Sequence, residues 1–122
     1  MSQFSSTTTS ANEKVVVVVG SLNTDLVLTL DTFPAAGETV LGSSFEQTVG
    51  GKGLNQAISS ARLGSTVAMI GAIGQDQFGA ALTEILDSED IESFVTKLPN
   101  SSTGMAIIEV ESSGENRIVV IS

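Results

Sequence analysis

Three glycines within four residues, Gly50, Gly51 and Gly53, interrupted only by Lys52, stand directly before a helical pattern. Leu54, Ala57, Ile58 and Ala61 follow at the i, i+3, i+4, i+7 spacing of one buried helix face. Gly64 comes just past the last periodic residue, where a left-handed cap is expected. The spacing therefore predicts a helix over about 53–63 entered through a glycine turn. The first amides of a helix have no internal partner, and the helix dipole makes that end mildly positive. Glycines remove the side chains that would hold a ligand off those amides. Lys52 adds a charged donor and Asn55 an amide that both donates and accepts. Such a turn suits a phosphate or a polyol. The plainer reading, a tight turn into a helix and nothing more, stands beside it.

Two phosphate-loop patterns are excluded. The Walker pattern read back from Gly51-Lys52 needs glycine where Glu46 stands and a hydroxyl where Gly53 stands. The dinucleotide pattern fails because Gly51-x-Gly53 meets Gln56 where it needs glycine.

Upstream, residues 1–13 are polar and low in complexity and read as a disordered tail. The valine run 15–19 has no alternation, which suits a strand of a parallel sheet covered on both faces. Ser21 to Asp25 leave its C-terminal end, the edge where open α/β sheets collect ligands. Asn23 and Asp25 lie two apart, so an extended backbone projects both to one side. Together an amide and a carboxylate can grip vicinal hydroxyls; an Asx-type turn is the alternative use of the same residues.

Residues 26–30 alternate as a half-exposed strand, 34–37 turn the chain, and 38–48 read as a further pair of short strands leading to the glycines. Residues 66–73 form a second buried strand, and Asp76 is the expected N-cap of a helix carrying Phe78, Leu82, Ile85 and Leu86 on one side. A third parallel strand is expected over 93–98. A hairpin around Gly114 joins 103–111 to 116–121 in the same antiparallel layer as residues 26–48. Asn100-Ser101-Ser102 matches a glycosylation sequon, read as accidental in a chain without a secretory signal.

Composition narrows the function. The 122 residues contain no Cys and no His, which removes thiolate and imidazole chemistry. Five Lys and Arg against fourteen Asp and Glu give a net charge of −9, which disfavours nucleic acid as a partner. No apolar run reaches the roughly 20 residues that span a bilayer. A cytoplasmic protein with no membrane partner is expected. Three parallel strands with two crossover helices would leave one sheet face bare, and the chain ends on an apolar strand. The expectation is an incomplete, N-terminal part of a larger α/β domain occupying residues 14–122.

Four blocks, in order, carry a family resemblance: Gly20-Ser21-Leu22-Asn23-Thr24-Asp25; Phe33-Pro34 through Gly37-Glu38-Thr39; Gly50-Gly51-Lys52-Gly53 with Asn55-Gln56-Ala57; and Gly74-Gln75-Asp76 through Gly79. Thr103-Gly104 is a weaker fifth. On these blocks the chain resembles the ribokinase branch of the PfkB carbohydrate-kinase family. The resemblance implies a Rossmann-type parallel sheet with helices plus a small antiparallel β lid over about 26–48 and 103–122. It implies phosphoryl transfer from ATP to the 5-hydroxyl of D-ribose, with Mg2+ and a monovalent cation (K+). It implies that Asn23, Asp25, Gly51, Lys52 and Asn55 bind the sugar, and that lids can pair in a homodimer. Another sugar or nucleoside, or a non-catalytic module that binds a sugar or pairs through its lid, is the alternative. In relatives the general base sits in a Gly-Ala-Gly-Asp block, with the ATP and cation sites nearby. That block is absent here, so the resemblance implies no catalytic residue or metal ligand in this chain and an inactive isolated chain.

Overall fold

A computed structural model describes residues 14–122, so the tail expected over 1–13 lies outside the described residues. Seven strands and two helices follow in the order β1 (Val15–Val19), β2 (Asn23–Leu30), β3 (Ser44–Gly50), α1 (Lys52–Arg62), β4 (Thr66–Gly74), α2 (Gln77–Ser88), β5 (Glu92–Leu98), β6 (Gly104–Glu111) and β7 (Asn116–Ile121). They build two sheets. The first is three-stranded and parallel in the order β1-β4-β5; the second is four-stranded in the order β3-β2-β6-β7.

Right-handed crossovers in a sheet whose strands progress in one direction put both helices on one face. Here Leu54 and Ala57 of α1 share one buried cluster with Leu82 and Leu86 of α2, and with Val18, Val67, Met69 and Ile73 from the sheet. Helix α1 ends as its sequence predicts. Gly64 has φ 98°, its amide donates to Ala61 O and that of Ser65 to Ser60 O, which together form the Schellman cap.

The other face of the parallel sheet carries Val17, Val19, Ile70 and Phe94. Val19 pairs with Ile70 and Ile70 with Phe94, so an exposed apolar row crosses all three strands. The unalternating valine run is thus covered on one face only. β1 is an edge strand and Val19 is 74% exposed.

In the second sheet the two outer pairs, β2–β3 and β6–β7, are antiparallel, as expected. The central pair β2–β6 is parallel. The cause lies in where the strands start. β2 leaves the C-terminal end of β1, and β6 leaves the C-terminal end of β5, so both depart from one edge in one direction. A second difference concerns residues 38–43, the first part of the segment 38–48 expected to form a pair of short strands. They do not, because β2 is already paired with Ser44–Gly50 back to Thr29, leaving the earlier residues no neighbour. The chain instead turns through Gly37 (φ 76°), where the Glu38 amide donates to Ala35 O at 2.9 Å, and joins β2 only at Ser43.

Candidate functional site

The chain passes between its two layers at one edge of the parallel sheet. Residues 20–22 leave β1 there, 99–103 leave β5, and Gly50-Gly51 delivers β3 into α1. These passages converge because the turn from β1 packs directly on the start of α1. The Leu54 amide donates to Ser21 O at 2.9 Å. A β-carbon on Gly53 would stand 2.7 Å from Gly20 C and Ser21 N, and one on Gly51 would stand 2.6 Å from Ser21 O. Gly51 also has φ 100°, a region that L side chains avoid. The glycine run is therefore needed for close packing, whatever else it does. It leaves the N-cap of α1 as a bare backbone, since Gly51 makes no side-chain cap.

Beside this turn β2 supplies the polar pair. Asn23 and Asp25 are both half-buried and leave the same side of β2, as their spacing predicts. Strand geometry, not an Asx turn, holds them: Asn23 pairs with Gly50 on β3 and Gly104 on β6, and Asp25 with Thr48 and Ala106. Asp25's carboxylate lies against Gly50, one residue before the α1 N-cap, where the helix dipole favours negative charge. Lys52 and Asn55 are three apart in the first turn of α1 and both exposed, so they share one solvent-facing side. The backbone thus gathers Asn23, Asp25 and Gly51 tightly, with Lys52 and Asn55 on the adjoining helix end.

An open cleft of about 610 Å³ lies between the layers. It is lined on one side by Ser21, Asn23 and Gly104, and on the other by Asn100, Ser101 and Ser102. Of the five expected site residues only Asn23 lines it. Residues Asn100, Ser101 and Ser102, which the sequence marked only as an accidental glycosylation match, thus line this cleft.

Asp76 carries a role beyond the expected cap. Its Oδ1 accepts from the Gly79 amide at 2.8 Å and from the Thr103 hydroxyl at 2.6 Å, and its Oδ2 accepts from the Thr103 amide at 2.9 Å. The Thr103 hydroxyl in turn accepts from the Gly74 amide at 2.9 Å. One carboxylate therefore ties the start of α2 to the residue that launches β6. Donation from the Thr103 hydroxyl, then from the Thr103 and Gly79 amides, holds Asp76 below the ordinary carboxylate range. The only sequence signal of this tie was the Thr103-Gly104 pair ahead of an extended run.

A family model described as pfkB family carbohydrate kinase matches residues 13–122. The chain is 43% identical over 107 residues to the ribokinase of Bacillus subtilis, a match covering 87% of this chain and 36% of that protein. It superimposes on the ribokinase of Giardia lamblia with a TM-score of 0.83 at 36% identity, covering 90% of this chain and 36% of that one. Against the Arabidopsis thaliana ribokinase complexed with ribose and ATP the TM-score is 0.82 at 32% identity, covering 89% and 36%. The chain spans about a third of the length of these relatives.

Proposed function

Since the chain belongs to the pfkB family of carbohydrate kinases, we propose that it is the sugar-binding part of an ATP-dependent ribokinase that phosphorylates the 5-hydroxyl of D-ribose. One observation carries the reading: Asn23 and Asp25 leave one side of β2 beside a bare helix N-terminus. In this reading the Asp25 carboxylate accepts hydrogen bonds from ring hydroxyls, while the Asn23 amide donates and accepts. The amide at Gly51, Lys52 and Asn55 complete the ring of donors. An acceptor-only group beside donor groups matches a polyol, in which each hydroxyl both donates and accepts.

In this reading ATP is the phosphoryl donor, with Mg2+ and K+ as the ions of the reaction. Among the described residues no three His, Cys, Asp or Glu side chains gather where a metal ion could bind. The general base is likewise assigned to none of these residues, so the 122-residue chain binds the acceptor without transferring phosphate.

Calorimetric titration of the chain with D-ribose tests the sugar site. The expected result is saturable heat that Asp25→Ala abolishes while the circular dichroism spectrum is unchanged. Ribose binding that persists in Asp25→Ala would overturn the assignment. ADP release from ATP, Mg2+ and K+ on addition of ribose would overturn the inactive-chain reading.

The lid supports a second, compatible reading, pairing between two copies. Every residue of β7 is exposed, and Ile118 and Val120, 52% and 62% exposed, lie on the face shared with Asn23 and Asp25. Sedimentation equilibrium should then show a dimer that Val120→Lys dissociates; a monomer at every concentration would remove this reading.

A further inference from the structure

The glycines around the site divide by what stands where their β-carbon would be. At Gly51 and Gly53 the nearest atoms are backbone atoms of Gly20, Ser21 and Asn23, which cannot yield without moving the fold. At Gly50 a β-carbon would stand 2.5 Å from Asp25 Oδ2, 2.9 Å from its Cγ and 3.0 Å from its Oδ1. All three neighbours belong to one carboxylate. At Gly104 a β-carbon would stand 2.5 Å from Asn23 Oδ1 and 3.4 Å from its Cγ, with the next atom, Ile121 O, at 3.7 Å.

Backbone conformation does not demand these two glycines. Neither is among the residues with positive φ. Both sit in strands, where glycine weakens the element and marks a close approach. What approaches is the polar end of a side chain on β2. The directions also differ: Asn23 leans over β6 onto its register partner Gly104, while Asp25 leans diagonally over β3 onto Gly50. Two side chains leaving one face of one strand are thereby spread to opposite sides.

We propose that Gly50 and Gly104 are positioning residues, whose missing β-carbons form the seats on which the Asp25 carboxylate and the Asn23 amide lie. The seats set the spread between the two groups, and so the separation of hydroxyls that they can grip together. The consequence for sugar binding rests on the assignment of Asn23 and Asp25 proposed above; the seating itself does not. A methyl group placed in a seat meets the far end of a flexible side chain, which rotates away. Alanine at these positions should therefore redirect one side chain each and leave the fold in place.

The test begins without ligand. Three-bond couplings measured by NMR give the χ1 populations of Asn23 and Asp25 in the wild-type chain, Gly50→Ala and Gly104→Ala, alongside their thermal midpoints. The expected result is a changed Asp25 rotamer in the first variant, a changed Asn23 rotamer in the second, and midpoints close to wild type. Unchanged couplings, or both side chains moving in both variants, would overturn the proposal. If Gly50→Ala does not fold, the double variant with Asp25→Ala decides. Folding restored by removing the carboxylate supports the seat, and continued unfolding overturns it by placing the clash in the backbone.

Ribose titration then reads the consequence. Gly50→Ala should weaken binding about tenfold, a partial loss beside the abolition expected of Asp25→Ala. Wild-type affinity in Gly50→Ala would overturn the proposal. A wild-type chain that gives no ribose-dependent heat would overturn the sugar reading, while the couplings still decide the seats.

Discussion

The three-stranded parallel sheet β1-β4-β5 and the four-stranded mixed sheet β3-β2-β6-β7 differ in what supports them. The first is backed by two helices, and nearly all the buried apolar side chains belong to this layer, from Val18 and Met69 to Leu54, Leu82 and Leu86. The second contributes Leu30 as its one buried apolar side chain among the described residues. Its strands β3 and β7 are almost wholly exposed. Hydrophobic burial scales with apolar area removed from water, so the first layer holds the fold while the second is carried by ladder hydrogen bonds and its attachments. Local opening is favoured where few apolar contacts must be broken. The four-stranded side of the candidate site is thus the side expected to open more readily, and the helix N-terminus beneath it the side expected to resist opening.

The largest effect expected from this contrast comes from truncating the core. Leu54 and Leu82 are fully buried, so Leu54→Ala and Leu82→Ala should each cost about 2–5 kcal/mol. Val120→Ala in β7, 62% exposed, should cost less than about 0.5 kcal/mol. Urea midpoints compare them directly. A Val120→Ala loss as large as that of Leu54→Ala would break the contrast between layers.

Next in size is Gly53→Ala. Within an ordinary helix this change stabilises by about 1 kcal/mol. Here the new β-carbon would press on Gly20 and Ser21, and overpacking of that kind costs about 1–3 kcal/mol. The sign of the change in thermal midpoint is the measurement. Stabilisation would show that the turn from β1 and the start of α1 can separate freely.

The joint between the layers should respond to pH. Asp76 is held below its ordinary value, about 3.9, by Thr103 and Gly79. A depressed carboxylate contributes stability that is present above the unfolded value and lost as pH falls through the folded one. The contribution is therefore complete at neutral pH and disappears on acidification below about pH 4. Asp76→Ala should cost about 1–2 kcal/mol at pH 7, the worth of a strong N-cap. Its deficit against wild type should shrink as the pH is lowered through that range. A deficit independent of pH would remove the carboxylate from the joint. Hydrogen exchange of the β6 amides should accelerate in the variant more than that of β4, since Thr103 launches the lid and not the core.

How much of this was legible in the sequence follows the same division. Elements that bury a face declare it in the sequence: Leu54-Ala57-Ile58-Ala61 located α1, and the apolar run 66–73 located β4. Capping chemistry is local, so Gly64 and Asp76 were read correctly. The lid was harder. Residues 38–43 have strand-like composition, yet pairing is a property of the partner, and β2 had none left to offer. The parallel joint between β2 and β6 depends on which edge two distant segments leave. No window of sequence contains that information. Of the candidate site, the shared side of Asn23 and Asp25 was legible because spacing two apart puts residues on one side of a strand. Gly50 was read only as part of the glycine turn and Gly104 only as part of a weak motif, because their significance lies in the empty space they leave for another residue's side chain. The link from Asp76 to Thr103 spans 27 residues and carries no periodic signal.

The smallest effects compare two ion pairs of equal length. Arg62 reaches Glu89 at 2.7 Å between the C-terminal ends of α1 and α2, and Arg117 reaches Glu109 at 2.7 Å across β6 and β7. Equal geometry does not mean equal worth. Arg62 stands 69% exposed, and its pairing with Glu89 is a surface interaction that salt screens. Arg117 also lies 4.4 Å over the centre of the Phe33 ring, a contact with a dispersion and quadrupole component that salt does not remove. That ring is held in place, because the Phe33 amide donates to Glu111 at 2.9 Å. Arg117 thereby fastens the loop after β2 to the β6–β7 hairpin in a layer with few other contacts. Arg62→Ala should lower the thermal midpoint slightly in dilute buffer and not at all in 1 M NaCl. Arg117→Ala should cost up to about 1 kcal/mol and keep part of that loss in 1 M NaCl. Equal salt sensitivity in the two variants would mean that the ring contact adds nothing, and that the lid loop is held by charge alone.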